Sequence, residues 1–137
     1  MDAQDGQDKG LRYAEITQSV IGCAFAVINE LGAGFLKSVY ERALLLALNQ
    51  KGHSALSQQP IKVLFRGECV GEFYADVLVD DRVLVELKAA QAITPEHQAQ
   101  IINYLNATGI EVGLLINFGK PKLEYRRFTR SKDFKQG

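Results

Sequence analysis

At 137 residues the chain is long enough for one domain with a buried core, and its 47% hydrophobic and 23% charged residues are typical of a soluble globular protein. The formal net charge is zero, which excludes a general attraction to polyanions, and no apolar run reaches the length of a membrane span. The two cysteines lie far apart without a C-x-x-C spacing, which argues against a zinc site or a disulfide and favours free thiols. Free thiols are typical of a reducing cytoplasm, so we expect the protein to be cytoplasmic.

The first residues are polar, carry three aspartates and lack the apolar segment of a secretory signal. We predict a disordered arm over residues 1–12, a single domain over 13–130 and a flexible basic tail over 131–137.

Two amphipathic helices are predicted at the start of the domain. The first runs from about Tyr13 to Leu31 and the second from about Leu36 to Gln50, each with apolar residues at spacings of three and four. Glu41 lies at the edge of the second apolar stripe, as a solvated charge or as a carboxylate that reaches a site on the sheet. Lys37, one turn earlier, is a candidate phosphate contact or a surface lysine.

Three strands are predicted next. The first opens at Pro60, which suits the start of a strand, and its alternation predicts that Phe65 is buried. In the second, Ala75, Val77 and Val79 are expected to share one apolar face because side chains alternate along a strand.

The loop D-D-R between the second and third strands sets their register. Opposed residues of a hairpin point to the same side, so the apolar faces match when Val77 pairs with Val85. The same register places Asp76 opposite Glu86, with Lys88 on the face of Glu86.

Asp76, Glu86 and Lys88 form a pattern that metal-dependent phosphodiester cleavage requires. Two carboxylates hold a hard divalent cation such as Mg²⁺ or Mn²⁺, and a lysine stabilises developing negative charge or orients an attacking water. The alternative interpretation is a solvated hairpin face with cross-strand ion pairs.

A third helix is predicted between the N-cap Thr94 and Gly109. His97, Gln100 and Tyr104 lie on one side of it, at spacings of three and four. His97 is a candidate phosphate contact or proton donor, or a surface residue of the first helical turn.

Two more strands complete the domain. The apolar run Val112 to Ile116 predicts a strand buried on both faces and parallel to a neighbour, and Leu123 to Thr129 predicts an outer strand. The order ααβββαββ predicts an α/β fold with one mixed sheet flanked by helices. We find no P-loop, G-x-S-x-G, G-x-G-x-x-G or H-E-x-x-H pattern that would indicate another catalytic class.

The C-terminal part is locally basic. Residues 118–137 hold seven Lys or Arg against two acids, a net charge of +5. Arg126, Arg127 and Arg130 are therefore candidate contacts to a nucleic-acid backbone, or the solvated face of a strand.

The order D…E-x-K…Q-h-x-x-Y resembles the PD-(D/E)XK nuclease superfamily, and its last element is similar to that of RecB-type nucleases. The segments G-A-G-F-L-K-S-V-Y-E-R-A-L, V-G-E-F-Y-A-D, V-E-L-K-A and H-Q-A-Q-I-I-N-Y-L resemble the GxxExxY family of small bacterial proteins, which is placed in that superfamily. The resemblance covers about Ile16 to Phe128. In this chain Lys37 stands where the family-naming glutamate should be.

This resemblance implies a restriction-endonuclease-like fold and a Mg²⁺ (or Mn²⁺) cofactor. It implies that Asp76 and Glu86 bind the metal, with Glu41 from the leading helix as a further ligand. Gln100 and Tyr104 are then expected to brace the site or contact the scissile strand.

The expected activity is hydrolysis of phosphodiester bonds in nucleic acid, with Lys88 as the lysine of the catalytic set. The expected partners are nucleic acid and a second copy of the chain, because a small nuclease usually needs two subunits to address two strands; no membrane is expected. The alternative is a nuclease-fold module that binds nucleic acid or a protein without cleaving.

Overall fold

A computed structural model of the protein describes residues 13–130; the predicted arm and tail lie outside the described residues. The order of elements is ααβββαββ, as predicted. Their bounds are α1 Ala14–Leu31, α2 Lys37–Gln50, β1 Ala55–Phe65, β2 Glu68–Val79, β3 Val83–Lys88, α3 Pro95–Thr108, β4 Val112–Asn117 and β5 Glu124–Thr129. None of the helices in this range combines the length and apolarity needed to cross a membrane.

The five strands form one sheet in the order β1-β2-β3-β4-β5. Among these described strands, β3 and β4 form the one parallel pair, because α3 connects them across the sheet. Every residue of β4 is buried, as its apolar sequence predicts. The predicted register of the central hairpin is confirmed by the pairs Val77–Val85 and Val79–Val83.

The helices bury the two faces of the sheet separately. On one face, α1 and α2 cover a cluster that includes Val27, Leu44 and Val85. On the other face, α3 covers a second cluster that includes Leu84 and Ile101. The sheet is therefore the middle layer of three.

The prediction that Ala75 shares a face with Val77 is wrong. Val77 packs beneath α1 and α2, whereas Ala75 belongs to the cluster beneath α3. The change of side occurs at Asp76, opposite Gln58 of β1, which has a φ of 52°. The regular pairing of β1 with β2 is interrupted at this point, between the pairs Ser57–Val77 and Gln59–Ala75.

The prediction that Phe65 is buried is also wrong. Strand β1 starts at Ala55, five residues earlier than expected, and extends past the helices. Ile61 is 2% exposed, but Phe65 near the tip is 58% exposed. We call residues 60–74 the distal hairpin.

Candidate active site

Strands β2 and β3 separate where their acidic side chains lie. Regular pairing ends at Val77–Val85, and the carboxylates then take over the hydrogen bonding between the strands. The N–H of Asp76 donates to Glu86 Oε2 at 3.1 Å, and the N–H of Leu87 donates to Asp76 Oδ2 at 2.8 Å. Both acids are only 4% exposed, so the structure brings Asp76 and Glu86 together in a buried position.

The two carboxylates affect each other electrostatically. Burial, followed by the negative charge of Asp76, raises the pKa of Glu86 to about 8. A buried pair of this kind favours a shared proton or a nearby cation over two bare charges.

The cation in contact with the pair is Lys37. Its Nζ lies 3.0 Å from Asp76 Oδ1, and its side chain is 42% exposed. Within residues 13–130, Lys37 and not Lys88 forms an ion pair with this carboxylate. The residue that departs from the G-x-x-E-x-x-Y pattern thus supplies positive charge to the carboxylates.

Tyr40 fixes the corner from which Lys37 extends. Its hydroxyl donates to the Gly32 carbonyl at 2.6 Å and accepts from the Phe35 N–H at 3.1 Å. Its ring is fully buried and stacks on Phe118 with a centroid distance of 4.8 Å. Because Tyr40 lies one turn after Lys37 on α2, this anchor sets the start of the helix above the carboxylates.

Glu41 approaches the site through Gln58, a residue that the sequence analysis did not identify. Gln58 Nε2 donates to Glu41 Oε2 at 2.9 Å and lies 3.4 Å from Asp76 Oδ1. The sequence signal for Gln58 is a polar residue within a strand. It indicates a site residue only once the pairing of β1 with β2, which sets Gln58 opposite Asp76, is known.

Lys88 is held from the opposite face of the sheet by α3. Its Nζ donates to Gln100 Oε1 at 2.9 Å, and Gln100 Nε2 lies 3.2 Å from the Tyr104 hydroxyl. An ammonium group only donates, so the amide oxygen of Gln100 must face Lys88. Burial, and then the charges of Glu86 and Asp76, raise the pKa of Tyr104, which keeps its hydroxyl protonated.

Asn117 was also missed, and it fixes the chain just after Lys88. It pairs with Lys88 in the sheet register and is fully buried. Its Oδ1 accepts from the N–H groups of Ala90 and Gly119, both at 2.9 Å, and its Nδ2 donates to the Ala90 carbonyl at 3.0 Å. A side chain at position 119 would collide with the backbone of Ala90, so glycine is required there.

His97 has a structural role at the start of α3. Its Nδ1 accepts from the Thr94 N–H at 3.1 Å, while Thr94 Oγ1 accepts from the His97 N–H at 3.2 Å. This reciprocal arrangement is a capping box with histidine in the usual place of glutamate or glutamine.

The three arginines of the C-terminal part do not share one surface. Arg126 pairs with Leu115, which pairs with Glu86, so its exposed side chain lies on the Glu86 face of the sheet. Arg127 is the next residue along the strand and points to the other face. Arg130 follows β5 near the beginning of β4, at the end of the sheet away from Lys88.

The pair Asp76 and Glu86 suits a Mg²⁺ ion. This cation takes oxygen ligands and is typically bound by one or two carboxylates, with waters and substrate phosphates completing the shell. Among the described residues, no group of three or more His, Cys, Asp or Glu is arranged to form an all-protein metal site. The raised pKa of Glu86 indicates a deficit of positive charge that a divalent cation would relieve.

Several solved structures share the fold. An alkaline exonuclease (LHK-Exo) from Laribacter hongkongensis superposes with a TM-score of 0.52 and 17% identity, over 70% of this chain and 56% of the exonuclease. The protein SSO0001 gives a TM-score of 0.52 and 16% identity, over 89% of this chain and 61% of that one. LHK-Exo in complex with dAMP gives a TM-score of 0.50 and 14% identity, over 80% of this chain and 77% of that one. The predicted restriction-endonuclease-like architecture, a mixed sheet flanked by helices, is confirmed.

The chain thus spans little more than half of the length of the exonuclease in one of these comparisons, and the likeness concerns the fold. Among curated proteins, none matches the sequence. A family model of the PD-(D/E)XK nuclease superfamily, however, matches residues 14–128, which include every residue of the buried carboxylate site. The chain belongs to the PD-(D/E)XK nuclease superfamily.

Proposed function

We propose that the protein is a Mg²⁺- or Mn²⁺-dependent nuclease that hydrolyses phosphodiester bonds in nucleic acid. The observation that carries this proposal is the buried pair Asp76 and Glu86 at the point where two strands separate, with Lys88 two residues after Glu86 in β3. A solvated hairpin face, the alternative interpretation, does not account for acids that are 4% exposed.

In this proposal Asp76 and Glu86 hold the cation, and Glu41 joins them directly or through a water beside Gln58. A bound divalent cation supplies a water of lowered pKa and neutralises charge on the phosphate.

The remaining residues act on the phosphate and the attacking water. Lys88 donates a hydrogen bond to one of them, and Gln100 restrains the direction of its ammonium group. Tyr104 keeps its proton and donates to the scissile strand. Asn117 holds the chain just after β3 and so helps to position Lys88.

The similar structures support nucleic acid as the partner, because one is an exonuclease and has been observed with dAMP. Arg126 is the best placed of the candidate backbone contacts, and Lys37, His97, Arg127 and Arg130 remain candidates. We further propose membership of the GxxExxY family, on the motifs quoted above. Action as a homodimer and a cytoplasmic location complete the proposal; the free thiols of Cys23 and Cys69 are consistent with that location.

A cleavage assay on mixed DNA and RNA with Mn²⁺ tests the activity. The variant Glu86→Gln keeps the size of the side chain but removes its charge, and we expect at least about a hundredfold slower cleavage. Lys88→Met should also slow cleavage while Mn²⁺ still binds, as measured by calorimetry. The matched control is Glu68→Gln, an exposed acid at the start of the neighbouring strand β2. Equal rates for the wild type and Glu86→Gln would refute the proposal.

A second candidate function is binding without cleavage. It is favoured by the ion pair between Lys37 and Asp76, since an ammonium group already occupies one side of the carboxylate pair. If it is correct, calorimetry will detect no Mn²⁺ binding, and oligonucleotides will bind the wild type without being cut.

A further inference from the structure

A groove between the distal hairpin and α3 leads to the candidate active site. Its volume is about 860 Å³, within the roughly 300–1,000 Å³ of small-ligand sites. Its walls include Lys62 and Leu64 of β1, Phe73 of β2, and Gln100, Asn103 and Tyr104 of α3. We propose that this groove binds a nucleobase of a single strand, next to the bond to be cut; the inference rests on the proposed nuclease function and adds its substrate class.

The groove and the candidate active site share two residues. Gln100 and Tyr104 line the groove, and Gln100 also holds the ammonium group of Lys88 at 2.9 Å. A nucleotide whose phosphate lies at Lys88 would therefore have its neighbouring base at the mouth of the groove. This continuity identifies the occupant as part of the substrate rather than an unrelated ligand.

An aromatic surface is available inside the groove. Phe73 is 46% exposed although it lies in a regular strand, and its ring centroid is 5.7 Å from that of Tyr104 at an angle of 40°. A planar base can stack on the exposed face of Phe73, and such stacking tolerates any base because every base has a π-face.

The charge of the groove favours a base over a backbone. Its lining contains one lysine, Lys62, and one acid, Glu96, so the lining carries no net charge. The amide of Asn103 can pair with the donors and acceptors on the edge of a base, and Glu96 can accept from an exocyclic amino group. A phosphate backbone would need a positive surface instead.

The ligand must come from a single strand or a frayed end. In a duplex each base is stacked and paired, so its faces are covered and cannot reach Phe73. We therefore expect single-stranded nucleic acid, or the open end of a duplex, to bind in preference to a blunt duplex.

The test uses a single-stranded DNA of about 12 nucleotides that contains a fluorescent adenine analogue. Binding is measured in chelator, so that no strand is cut, by fluorescence anisotropy and by quenching of the analogue. We expect quenching with the wild type, about tenfold weaker binding with Phe73→Ala, and recovery with Phe73→Tyr, because one stacked base is lost and restored. Phe65→Ala is the matched control, an exposed aromatic residue of the same strand pair outside the groove.

The outcomes separate this inference from the proposed function. Wild-type affinity and quenching in Phe73→Ala would overturn the nucleobase site, even if Glu86→Gln abolishes cleavage and the nuclease proposal stands. Loss of affinity in Phe73→Ala without any cleavage by the wild type would support the site and overturn the nuclease proposal. Equal losses in Phe73→Ala and Phe65→Ala would also overturn the site, and would indicate a surface for a protein or a second copy.

Discussion

Asp76, inside β2, and Asp80, in the turn that follows it, are four residues apart in the chain, yet their carboxylates have opposite surroundings. Asp80, in the turn after β2, accepts from the Ser54 N–H at 2.8 Å and lies 2.7 Å from Nδ1 of His53. Asp76 is buried against a second acid, Glu86, and receives its positive charge from the half-exposed Lys37.

The pKa values of the two sites shift in opposite directions. Burial works against ionisation of Asp80, but hydrogen bonds from His53 and Ser54 and the charge of His53 hold its pKa below the ordinary value. Burial and Asp76 raise the pKa of Glu86 to about 8. The Asp80 site is complete within the chain, whereas the Asp76 site lacks positive charge, and an incomplete site is where a ligand binds.

The Asp80 site also shows that a chain of hydrogen-bonded Ser, His and Asp side chains does not by itself define a catalytic centre. Ser19 Oγ lies 2.7 Å from Nε2 of His53, whose Nδ1 contacts Asp80. The three side chains are therefore linked in the same Ser–His–Asp order as in a hydrolase triad. Ser19, however, lies inside α1, where backbone N–H groups are already hydrogen-bonded and cannot form an oxyanion hole. These contacts instead tie α1 to the β2–β3 turn.

The largest expected effect is a loss of stability of the metal-free protein as the pH rises. Glu86 binds its proton more tightly in the folded state than at its ordinary pKa of 4.5, so the folded state holds more protons between pH 4.5 and about 8, and stability falls across that window. The fall should be at most about 5 kcal/mol, measured by urea unfolding in chelator.

Two comparisons isolate the contribution of Glu86. Glu86→Gln should remove the fall, because glutamine does not titrate, and Mn²⁺ should restore wild-type stability near pH 8, because a ligand of the folded state stabilises it. A wild type whose stability is constant over this window, with and without Mn²⁺, would show that the two acids do not form a charge-deficient pair.

The second effect concerns the Asp80 site and has the opposite sign. A carboxylate of lowered pKa stabilises the fold at neutral pH, and this stability is lost as the pH falls through the folded-state pKa. Asparagine can adopt the left-handed backbone of position 80 but carries no charge. Asp80→Asn should therefore lower the free energy of unfolding by about 1–2 kcal/mol at neutral pH. We expect Mn²⁺ affinity and cleavage to be unchanged; a loss of either would mean that the two sites are coupled.

The local parts of this structure could be predicted from the sequence. The hairpin register follows from matching Val77 with Val85, and α3 begins and ends at its predicted caps, Thr94 and Gly109. These features depend on residues close in the chain and on periods of two and 3.6.

The contacts between distant elements could not be predicted in this way. Lys37 reaches Asp76 across 39 positions, and this depends on how the Tyr40 corner seats α2 over the sheet. The change of side at Asp76 coincides with the left-handed backbone of Gln58 on the neighbouring strand, which a polar side chain does not disclose. The exposure of Phe65 depends on the tip of the distal hairpin extending beyond the helices, which cover Ile61 but not Phe65.

The third effect is on metal affinity. Lys37→Met removes the ammonium group that lies against Asp76, so the metal-free variant should be about 1 kcal/mol less stable near pH 8, and should bind Mn²⁺ about tenfold more tightly in calorimetry. Lys51→Met, which removes an exposed lysine from the other end of α2, is the control for net charge. Unchanged Mn²⁺ affinity in Lys37→Met would place the metal away from this oxygen of Asp76.

The smallest effect separates two adjacent residues of one strand. Arg126 lies on the face of Glu86 and Arg127 on the other face, although both carry the same charge. If nucleic acid approaches Glu86 from that face, Arg126→Ala should reduce the log–log dependence of binding on salt by about 0.7 for a single strand or 0.9 for a duplex, the contribution of one phosphate contact.

Arg127→Ala is the matched control, because it removes the same charge from the same strand and should leave the slope unchanged. Equal reductions in both variants would indicate that the local charge of the C-terminal part attracts nucleic acid without a defined contact. A reduction in Arg127→Ala alone would mean that the substrate approaches from the side of α1 and α2. Lys37 reaches Asp76 from that side, so its ammonium group would then be the first cation that a phosphate meets. The comparison of the two arginines therefore decides from which face of the sheet the substrate enters.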